Sequence, residues 1–259
     1  MIQLRKISKS FRHLSVLNDL NLSFEDAGIS AILGPNGSGK TTMIKCLLGM
    51  VLPNHGDILI NEQNISRQWA YRDQISYLPQ IARFPENLSV GELIRMLRSL
   101  RNRSSQEDTL IQIFGLESFM DKKLGHLSGG TRQKVNLVQA FMYDNPILIL
   151  DEPTAGLDPV AVLKLKDLLN KEREKGKIIL ITTHLIPFVE EMADEIVFLM
   201  DGKIHFRGSP SHLRRQYEAE TLETAIAQML QNQQFVSTPV LTPVNGEARS
   251  SPNLIMVNQ

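Results

Sequence analysis

The 259-residue sequence has a single cysteine, no long hydrophobic run and no excess of charge of either sign. One thiol, Cys46, excludes an internal disulfide and is typical of a protein in a reducing compartment. Its place in the helix predicted over 39–50 favours a buried apolar role over a reactive thiol. No window approaches the roughly 20 apolar residues of a membrane-spanning helix, and the N-terminus has no signal-peptide run. We therefore expect a soluble chain that reaches a membrane only through a partner.

The charges balance, with 28 basic and 28 acidic residues. Because no net field attracts a polyanion, we expect no nucleic-acid partner. The six histidines are scattered without metal-ligand spacing, so we predict no structural metal site. Four arginines fall along and after one predicted helix, and a solvated helix face is favoured over an acidic contact on a membrane partner: Arg95, Arg98, Arg101 and Arg103.

Strands and helices alternate along most of the sequence, which is typical of a mostly parallel sheet covered on both faces. Short strands are predicted within 2–33, and further strands at 57–60, 74–78, 147–150, 178–182 and 196–200, with a helix over 39–50 that Pro53 stops. Between about residues 84 and 145 the spacing of apolar residues becomes helical. The prediction is an α/β fold with a mostly parallel sheet, antiparallel strands at the N-terminus and an inserted helical subdomain.

The composition changes after Arg215, with an amphipathic run over 218–231 and frequent Pro, Ser, Thr and Asn over 233–259. We therefore predict a main domain over 1–215, an amphipathic C-terminal helix over 216–232 and a flexible tail over 233–259. No internal repeat is found along the sequence. One chain is therefore expected to carry one copy of this domain.

A glycine-rich phosphate-binding motif follows the predicted strand that ends at Leu33. Its residues are Gly34, Pro35, Asn36, Gly37, Ser38, Gly39, Lys40 and Thr41, with Thr42 next. Glycines let the backbone wrap phosphates, Lys40 can neutralise the outer phosphates, and the Thr41 hydroxyl can coordinate Mg²⁺. The motif lies between a predicted strand and a predicted helix, which is the context that a P-loop requires. The predicted fold class is therefore an α/β P-loop NTPase core.

Two carboxylates follow the apolar strand predicted at 147–150. Asp151 can reach Mg²⁺ directly or through water. Glu152 is expected to point away from Asp151, because successive strand residues alternate between the two faces of a sheet. It can then polarise an attacking water as a general base.

A second anion-binding turn lies in the run LSGGTRQ at 127–133. Ser128 is a good helix N-cap, and Gly129 and Gly130 would open a helix whose first N–H groups are available to an anion. Because the motif around Lys40 already holds the phosphates of one nucleotide, the second turn is predicted to serve a nucleotide held by another copy.

LSGGTRQ, placed between a P-loop and the run ILILDEP, resembles the ATP-binding cassette (ABC) family of ATPases, and the match covers residues 1 to about 215. The resemblance implies ATP and Mg²⁺ as cofactors and four further site residues. Gln80 would contact Mg²⁺ and the attacking water, and His184 would touch the γ-phosphate. Asp158 would bridge two subunits. Phe11 would stack on adenine, and a core Phe on a short strand is the open alternative.

The resemblance also implies partners. A second ATPase subunit, as a homodimer, would pair head to tail around two Mg-ATP molecules. The loop after Gln80, with Arg83, Phe84 and Pro85, would transmit the resulting motion to a polytopic membrane permease subunit. The chain would then lie on the cytoplasmic face of the inner (plasma) membrane, held there by that partner.

Thr131, where importers commonly carry Gln, and the run AFMYDNP after the signature are similar to bacterial export-type ATPases. The run at 83–87 is similar to ATPases that serve copper-site assembly of nitrous-oxide reductase. We therefore predict a subunit that drives substrate export. The alternative is a soluble ABC ATPase, such as an iron–sulfur assembly ATPase, which is also one short cassette.

Overall fold

The computed structural model describes residues 1–101 and 103–236, and these form two β-sheets flanked by helices. The strands are β1 (Ile2–Phe11), β2 (Leu14–Phe24), β3 (Gly28–Leu33), β4 (His55–Ile60), β5 (Gln63–Asn64), β6 (Ile75–Leu78), β7 (Ile147–Asp151), β8 (Ile178–Thr182), β9 (Glu195–Met200) and β10 (Lys203–Gly208). The α-helices are α1 (Lys40–Leu47), α2 (Val90–Ser99), α3 (Glu107–Phe114), α4 (Gly129–Phe141), α5 (Pro159–Glu174), α6 (Ile186–Met192), α7 (Pro210–Gln216) and α8 (Leu222–Val236). Within the described residues, no helix is both long enough and apolar enough to cross a membrane.

The larger sheet has the strand order β10-β9-β3-β8-β7-β6. Adjacent strands from β9 to β6 pair in parallel, and the edge strand β10 pairs with β9 antiparallel. Every residue of β7 and β8 is buried, as expected for central strands covered on both faces. The second sheet is antiparallel with the order β2-β1-β4-β5. The predicted α/β P-loop core, with N-terminal antiparallel strands, is confirmed.

The N-terminal strands are longer than predicted. β1 and β2 contain 10 and 11 residues, whereas the sequence predicts short strands over 2–33. Lys6 and Asp19 have left-handed φ values of 51° and 50°, and the register between the two strands shifts beside them. These bulges interrupt the apolar alternation, so each long strand is predicted as shorter pieces.

Helix α1 ends earlier than the predicted limit at Met50. Gly49 adopts a left-handed φ of 63°, and the Met50 N–H donates to the Lys45 carbonyl at 2.8 Å, which closes the helix with a glycine cap. The helix therefore stops before Pro53. Cys46 on this helix is 1% exposed, and burial raises its pKa to about 11, so the predicted buried role is confirmed.

The inserted segment contains α2, α3 and α4. Helix α2 begins with a capping box, in which Ser89 and Glu92 bind each other's backbone N–H groups. Arg95 and Arg98 lie on an exposed face of α2, as the sequence predicts, although three of the four arginines also have partners within the chain. Arg98 lies 3.3 Å from the buried Glu107, and the guanidinium carbons of Arg101 and Arg103 lie 5.1 and 4.8 Å from the centre of the Tyr143 ring.

The C-terminal helix differs from its predicted bounds of 216–232. A separate helix, α7, ends at Gln216. Helix α8 begins only after Thr221, whose hydroxyl accepts the Thr224 N–H at 3.2 Å, because this cap fixes its start. The helix continues to Val236 and so includes the first four residues of the predicted tail. The rest of that tail, 237–259, lies outside the described residues.

Candidate functional site

The P-loop connects the carboxyl end of β3, in the interior of the large sheet, to the start of α1. Gly34 has a φ of 146°, and a Cβ there would lie 1.9 Å from the Leu199 carbonyl oxygen. Only glycine fits this position, because the backbone of β9 passes directly over it. The turn therefore leads straight from a buried strand into a helix N-terminus, where anions bind.

Lys40 is the first residue of α1, and its side chain lies against this loop. Its ammonium donates to the Gly34 and Pro35 carbonyl oxygens at 2.7 and 3.0 Å. Burial lowers the pKa of Lys40, and the negative charges of Glu152 and Asp151 oppose that change. The ammonium therefore lies close to the two carboxylates predicted for metal binding and catalysis.

A cleft of about 310 Å³ opens over the P-loop. Most of the predicted site residues line it: Phe11, Asn36, Gly37, Ser38, Gly39, Lys40, Thr41, Thr42, Gln80, Asp151, Glu152 and His184. Ser38 is 3% exposed, and its hydroxyl has no hydrogen-bond partner in the described part of the chain. An orphaned hydroxyl at the centre of the loop is suited to a ligand that brings acceptor oxygens.

The cleft wall beside Phe11 contains two aliphatic residues that the sequence did not predict, Leu14 and Val16. Phe11 pairs with Leu14 across the β1–β2 hairpin, and both line the cleft together with Val16. Phe11 is 46% exposed, so the alternative of a core Phe is not supported. The two-residue turn between Phe11 and Leu14 is the sequence signal that could have identified the second and third apolar side chains.

Asp151 is the last residue of β7 and pairs in parallel register with Thr182 of β8. The Thr182 hydroxyl donates to the Asp151 carboxylate. Glu152 follows with a left-handed φ of 52°, so it lies beyond the strand. Its direction therefore comes from this turn and not from the strand alternation that the sequence analysis assumed.

The Glu152 carboxylate is only 13% exposed and lies 3.2 Å from the Nε2 atom of His184. The backbone N–H of His184 donates to the other carboxylate oxygen at 3.4 Å. Burial raises the pKa of Glu152, and His184 partly counteracts this effect. A carboxyl with a raised pKa accepts a proton more readily than an exposed glutamate, as a general base requires.

The glycine turn at the start of α4 lies elsewhere. Among the residues that the structure describes, Ser128, Gly129, Gly130 and Asp158 are not part of the cleft lining. Ser128 caps α4 as predicted, since its hydroxyl accepts the Thr131 N–H at 3.2 Å. One chain therefore brings together the P-loop, the carboxylates and His184, but not the turn predicted to bind phosphate.

The start of α4 is packed against the loop that follows Glu152. A Cβ at Gly130 would lie 2.6 Å from the Gly156 carbonyl oxygen. Asp158 caps α5 by accepting the Ala161 N–H at 2.8 Å, and its carboxylate lies 2.7 Å from the Lys134 ammonium. Asp158 therefore has a local structural role in the single chain. The Lys134 partner was not predicted, because sequence spacing alone does not show that these two helices meet.

Comparison with known proteins identifies the same family as the sequence motifs. The family model described as "ABC transporter" matches residues 17–155. The "Nod factor export ATP-binding protein I" of Burkholderia lata is 34% identical over 218 residues, which cover 82% of this chain and 72% of the relative.

Two solved structures are similar along nearly their whole length. The ATP-binding subunit of an ABC transporter superposes with a TM-score of 0.82 at 30% identity, covering 89% of this chain and 99% of the other. A dimeric ATP-binding cassette, in a post-hydrolysis state with bound ADP and Pi, has a TM-score of 0.73 at 25% identity, covering 81% and 98%. With these matches and the cleft geometry, the chain belongs to the ATP-hydrolysing subunits of the ABC transporter family.

Proposed function

We propose that this chain binds Mg-ATP in the cleft and hydrolyses it as one half of a head-to-tail dimer that drives export through a membrane partner. The observation that carries the proposal is a separation within one chain. The cleft contains Lys40, Glu152 and His184, whereas the glycine turn at 128–130 lies outside its lining. A second copy can supply that turn to the exposed side of the nucleotide.

The nucleotide would occupy the cleft with its phosphates in the P-loop. Lys40 would transfer its ammonium from the Gly34 and Pro35 carbonyl oxygens to the outer phosphates, which carry more negative charge. The Lys9 ammonium lies 5.0 Å from the centre of the Phe11 ring. The opposite face of Phe11 would be available for adenine.

The cleft also supplies a donor set that fits Mg²⁺. Thr41, Gln80 and Asp151 line the same cleft and offer a hydroxyl, an amide oxygen and a carboxylate, the hard oxygen ligands that Mg²⁺ prefers. We assign these three residues as the ones that would hold the ion. When bound, Mg²⁺ would neutralise charge that develops on the phosphates during hydrolysis.

Glu152 would act as the general base and His184 as its positioning partner. Glu152 would accept a proton from the water that attacks the γ-phosphate, and the raised pKa favours that transfer. His184 contacts both oxygens of this carboxylate, through its ring and its backbone N–H. These two contacts would fix the orientation of the carboxylate. The exposed ring of His184 would also contact the γ-phosphate.

The second subunit would complete the site. The first N–H groups of α4 have no intrahelical partners, and Ser128, Gly129 and Gly130 would present them to the ATP of the other subunit. Asp158 lies beside this turn through its contact with Lys134 and would bridge to the partner. The similar structure with ADP and Pi is a dimer, which supports a second subunit at the nucleotide.

A membrane permease subunit would dock next to Gln80. A groove of about 440 Å³ is lined by Ile81, Ala82, Arg83, Phe84, Glu86, Leu124 and Arg132, and Ile81 is 71% exposed. Because Gln80 lines the nucleotide cleft and Ile81 lines this groove, a change at the nucleotide would reach a helix in the groove. We propose that residues 1–215 form the ATPase domain, with its helical subdomain over about 84–145. Docking of the permease in the groove beside Gln80 would hold the chain at the cytoplasmic face of the inner membrane.

Export is the direction that the comparisons support. The relative from Burkholderia lata is named for export, which favours transport over a soluble assembly ATPase. The similarity of residues 83–87 to copper-site assembly ATPases stays a prediction.

Two measurements test the proposal. The full-length chain should bind ATP and hydrolyse it only with Mg²⁺, and Lys40→Ala should abolish both. Affinity purification from membranes should recover a polytopic membrane protein, and substitution of Ile81 by Asp in the groove should reduce that recovery. Wild-type protein without ATP binding would contradict the site, and recovery of soluble partners alone would contradict the transport role.

A further inference from the structure

Thr182 is a buried hydroxyl to which the functions above assign no role. It is the last residue of β8, is 1% exposed, and lies directly opposite Asp151 in the parallel ladder. Residues paired in a parallel ladder direct their side chains to the same face of a sheet. The register therefore places the Thr182 hydroxyl against the Asp151 carboxylate.

The hydroxyl takes part in two hydrogen bonds, one as a donor and one as an acceptor. It donates its single proton to Oδ1 of Asp151 and accepts the backbone N–H of Glu152 at 3.3 Å. The same N–H also donates to the Thr182 carbonyl oxygen at 2.9 Å. Because a hydroxyl has one proton and an amide N–H can only donate, the direction of both hydroxyl bonds is fixed.

We propose that Thr182 is a positioning residue, which orients Asp151 for Mg²⁺ and holds the turn that directs Glu152 into the cleft. The proposal rests on the function proposed above, in which Asp151 binds Mg²⁺ and Glu152 is the base. Asp151 is 4% exposed, and within 1–101 and 103–236 no second hydrogen bond to its carboxylate is found. With Oδ1 fixed by Thr182, rotation of the carboxylate is restricted and its other oxygen is left for the ion.

A partner that fixes a metal ligand differs from one that only stabilises the fold. Loss of such a partner typically weakens metal affinity about 10- to 100-fold. Valine has nearly the shape of threonine but no hydroxyl, and Thr182→Val keeps the backbone bond between Glu152 and residue 182. The substitution therefore removes only the two side-chain hydrogen bonds.

The experiment measures ATP binding by calorimetry in EDTA and across a Mg²⁺ titration, together with steady-state ATPase activity. Thr182→Val should bind ATP in EDTA like the wild type. Its half-saturating Mg²⁺ concentration should rise about 10-fold or more, and its kcat should fall. Thr182→Ser retains a hydroxyl and should restore the wild-type Mg²⁺ dependence.

Thr183→Val is the matched control for Mg²⁺ binding, because Thr183 is as buried as Thr182 but its hydroxyl accepts the Leu185 N–H at 3.1 Å. The Thr183 hydroxyl also lowers the pKa of Glu152, so this control is read from the binding titration and not from kcat. It should leave the Mg²⁺ titration of binding unchanged. Identical titrations for Thr182→Val and Thr182→Ser would overturn the role of Thr182 alone. Wild-type ATP binding that does not respond to Mg²⁺ would overturn the proposed metal site as well. If circular dichroism shows that Thr182→Val is unfolded, Thr182→Ala is read by the same criteria.

Discussion

The Nε2 atom of His184 lies 3.2 Å from Oε1 of Glu152, and the backbone N–H of His184 donates to Oε2 of the same carboxylate at 3.4 Å. One residue from the β8–α6 loop therefore contacts both oxygens of the proposed base. Since Glu152 itself follows β7 on a left-handed turn, its position depends on two adjacent strands. A shift of either strand end would displace the base.

Glu152→Gln should nearly abolish turnover and leave ATP binding intact. The amide keeps the shape of the carboxylate but cannot accept the proton of the attacking water, and general-base help is worth roughly 10²–10⁴ in rate. Because the bound ATP is not hydrolysed, the ATP-bound dimer should then accumulate. Steady-state ATPase assays and size-exclusion chromatography with ATP measure these effects.

Glu174→Gln is the control for that substitution, because Glu174 ends α5 on an exposed surface. It should hydrolyse ATP at the wild-type rate. Normal turnover by Glu152→Gln would contradict the assignment of the base.

Glu152→Gln should also make the protein more stable, by an amount that depends on pH. Because burial raises the Glu152 pKa in the folded state, the ionised carboxylate costs folding free energy above that pKa. The cost shrinks as the pH falls toward the ordinary glutamate value of about 4.3. The Tm of the variant, measured without nucleotide, should therefore exceed the wild-type Tm more at pH 8 than at pH 5. An equal or reversed difference would contradict the burial effect.

Gly130→Ala and Gly129→Ala should differ, although the two glycines are neighbours. A Cβ at Gly130 would lie 2.6 Å from the Gly156 carbonyl oxygen, whereas one at Gly129 meets no atom within 4 Å. We expect Gly130→Ala to destabilise the nucleotide-free chain by about 1–3 kcal/mol. Gly129→Ala should cause no loss, since alanine favours a helix. Denaturant unfolding measures both, and equal stabilities would mean that α4 does not pack on the 153–158 loop as described.

Phe11→Ala should weaken the binding of ATP but not that of inorganic tripolyphosphate, which has no base. Stacking of a base on an aromatic ring is worth roughly 1–3 kcal/mol, so the Kd for ATP should rise by about 10-fold. Phe11→Tyr keeps the ring and should bind ATP like the wild type. A similar loss for both ligands would indicate a structural role of Phe11 and contradict adenine stacking.

The fold and much of the cleft were predictable because the P-loop and the two carboxylates directly follow the apolar strands β3 and β7. Buried strands such as β7 and β8 appear in the sequence as continuous apolar runs, and parallel neighbours bring their carboxyl ends to one edge. For this reason the residues around Lys40 and Asp151 could be assigned to one site from the sequence, whereas His184 was assigned through the family resemblance. The bulges at Lys6 and Asp19 could not be foreseen, since they depend on pairing with another strand.

Contacts between side chains that are distant in sequence could not be predicted either. Thr182 and Asp151 are 31 residues apart, and their contact follows from the ladder register, which the sequence does not specify. The Lys134–Asp158 ion pair likewise requires that α4 and the start of α5 meet. The direction of Glu152 was derived from strand alternation, but its left-handed φ sets that direction instead.

The central claim is that each ATP site combines the P-loop of one chain with the glycine turn of another. Lys40→Ala removes the P-loop lysine. Gly129→Asp places a negative charge at the turn, at a position where a Cβ meets no atom within 4 Å. Each variant alone should be inactive, because both sites of its dimer are defective.

The direct measurement is the ATPase rate of an equimolar mixture of these two variants under dimer-forming conditions. Half of the dimers should be mixed, and each mixed dimer has one intact site of two, so activity should recover to about one quarter of the wild-type rate. A mixture no more active than either variant alone, with dimers present, would contradict the shared site.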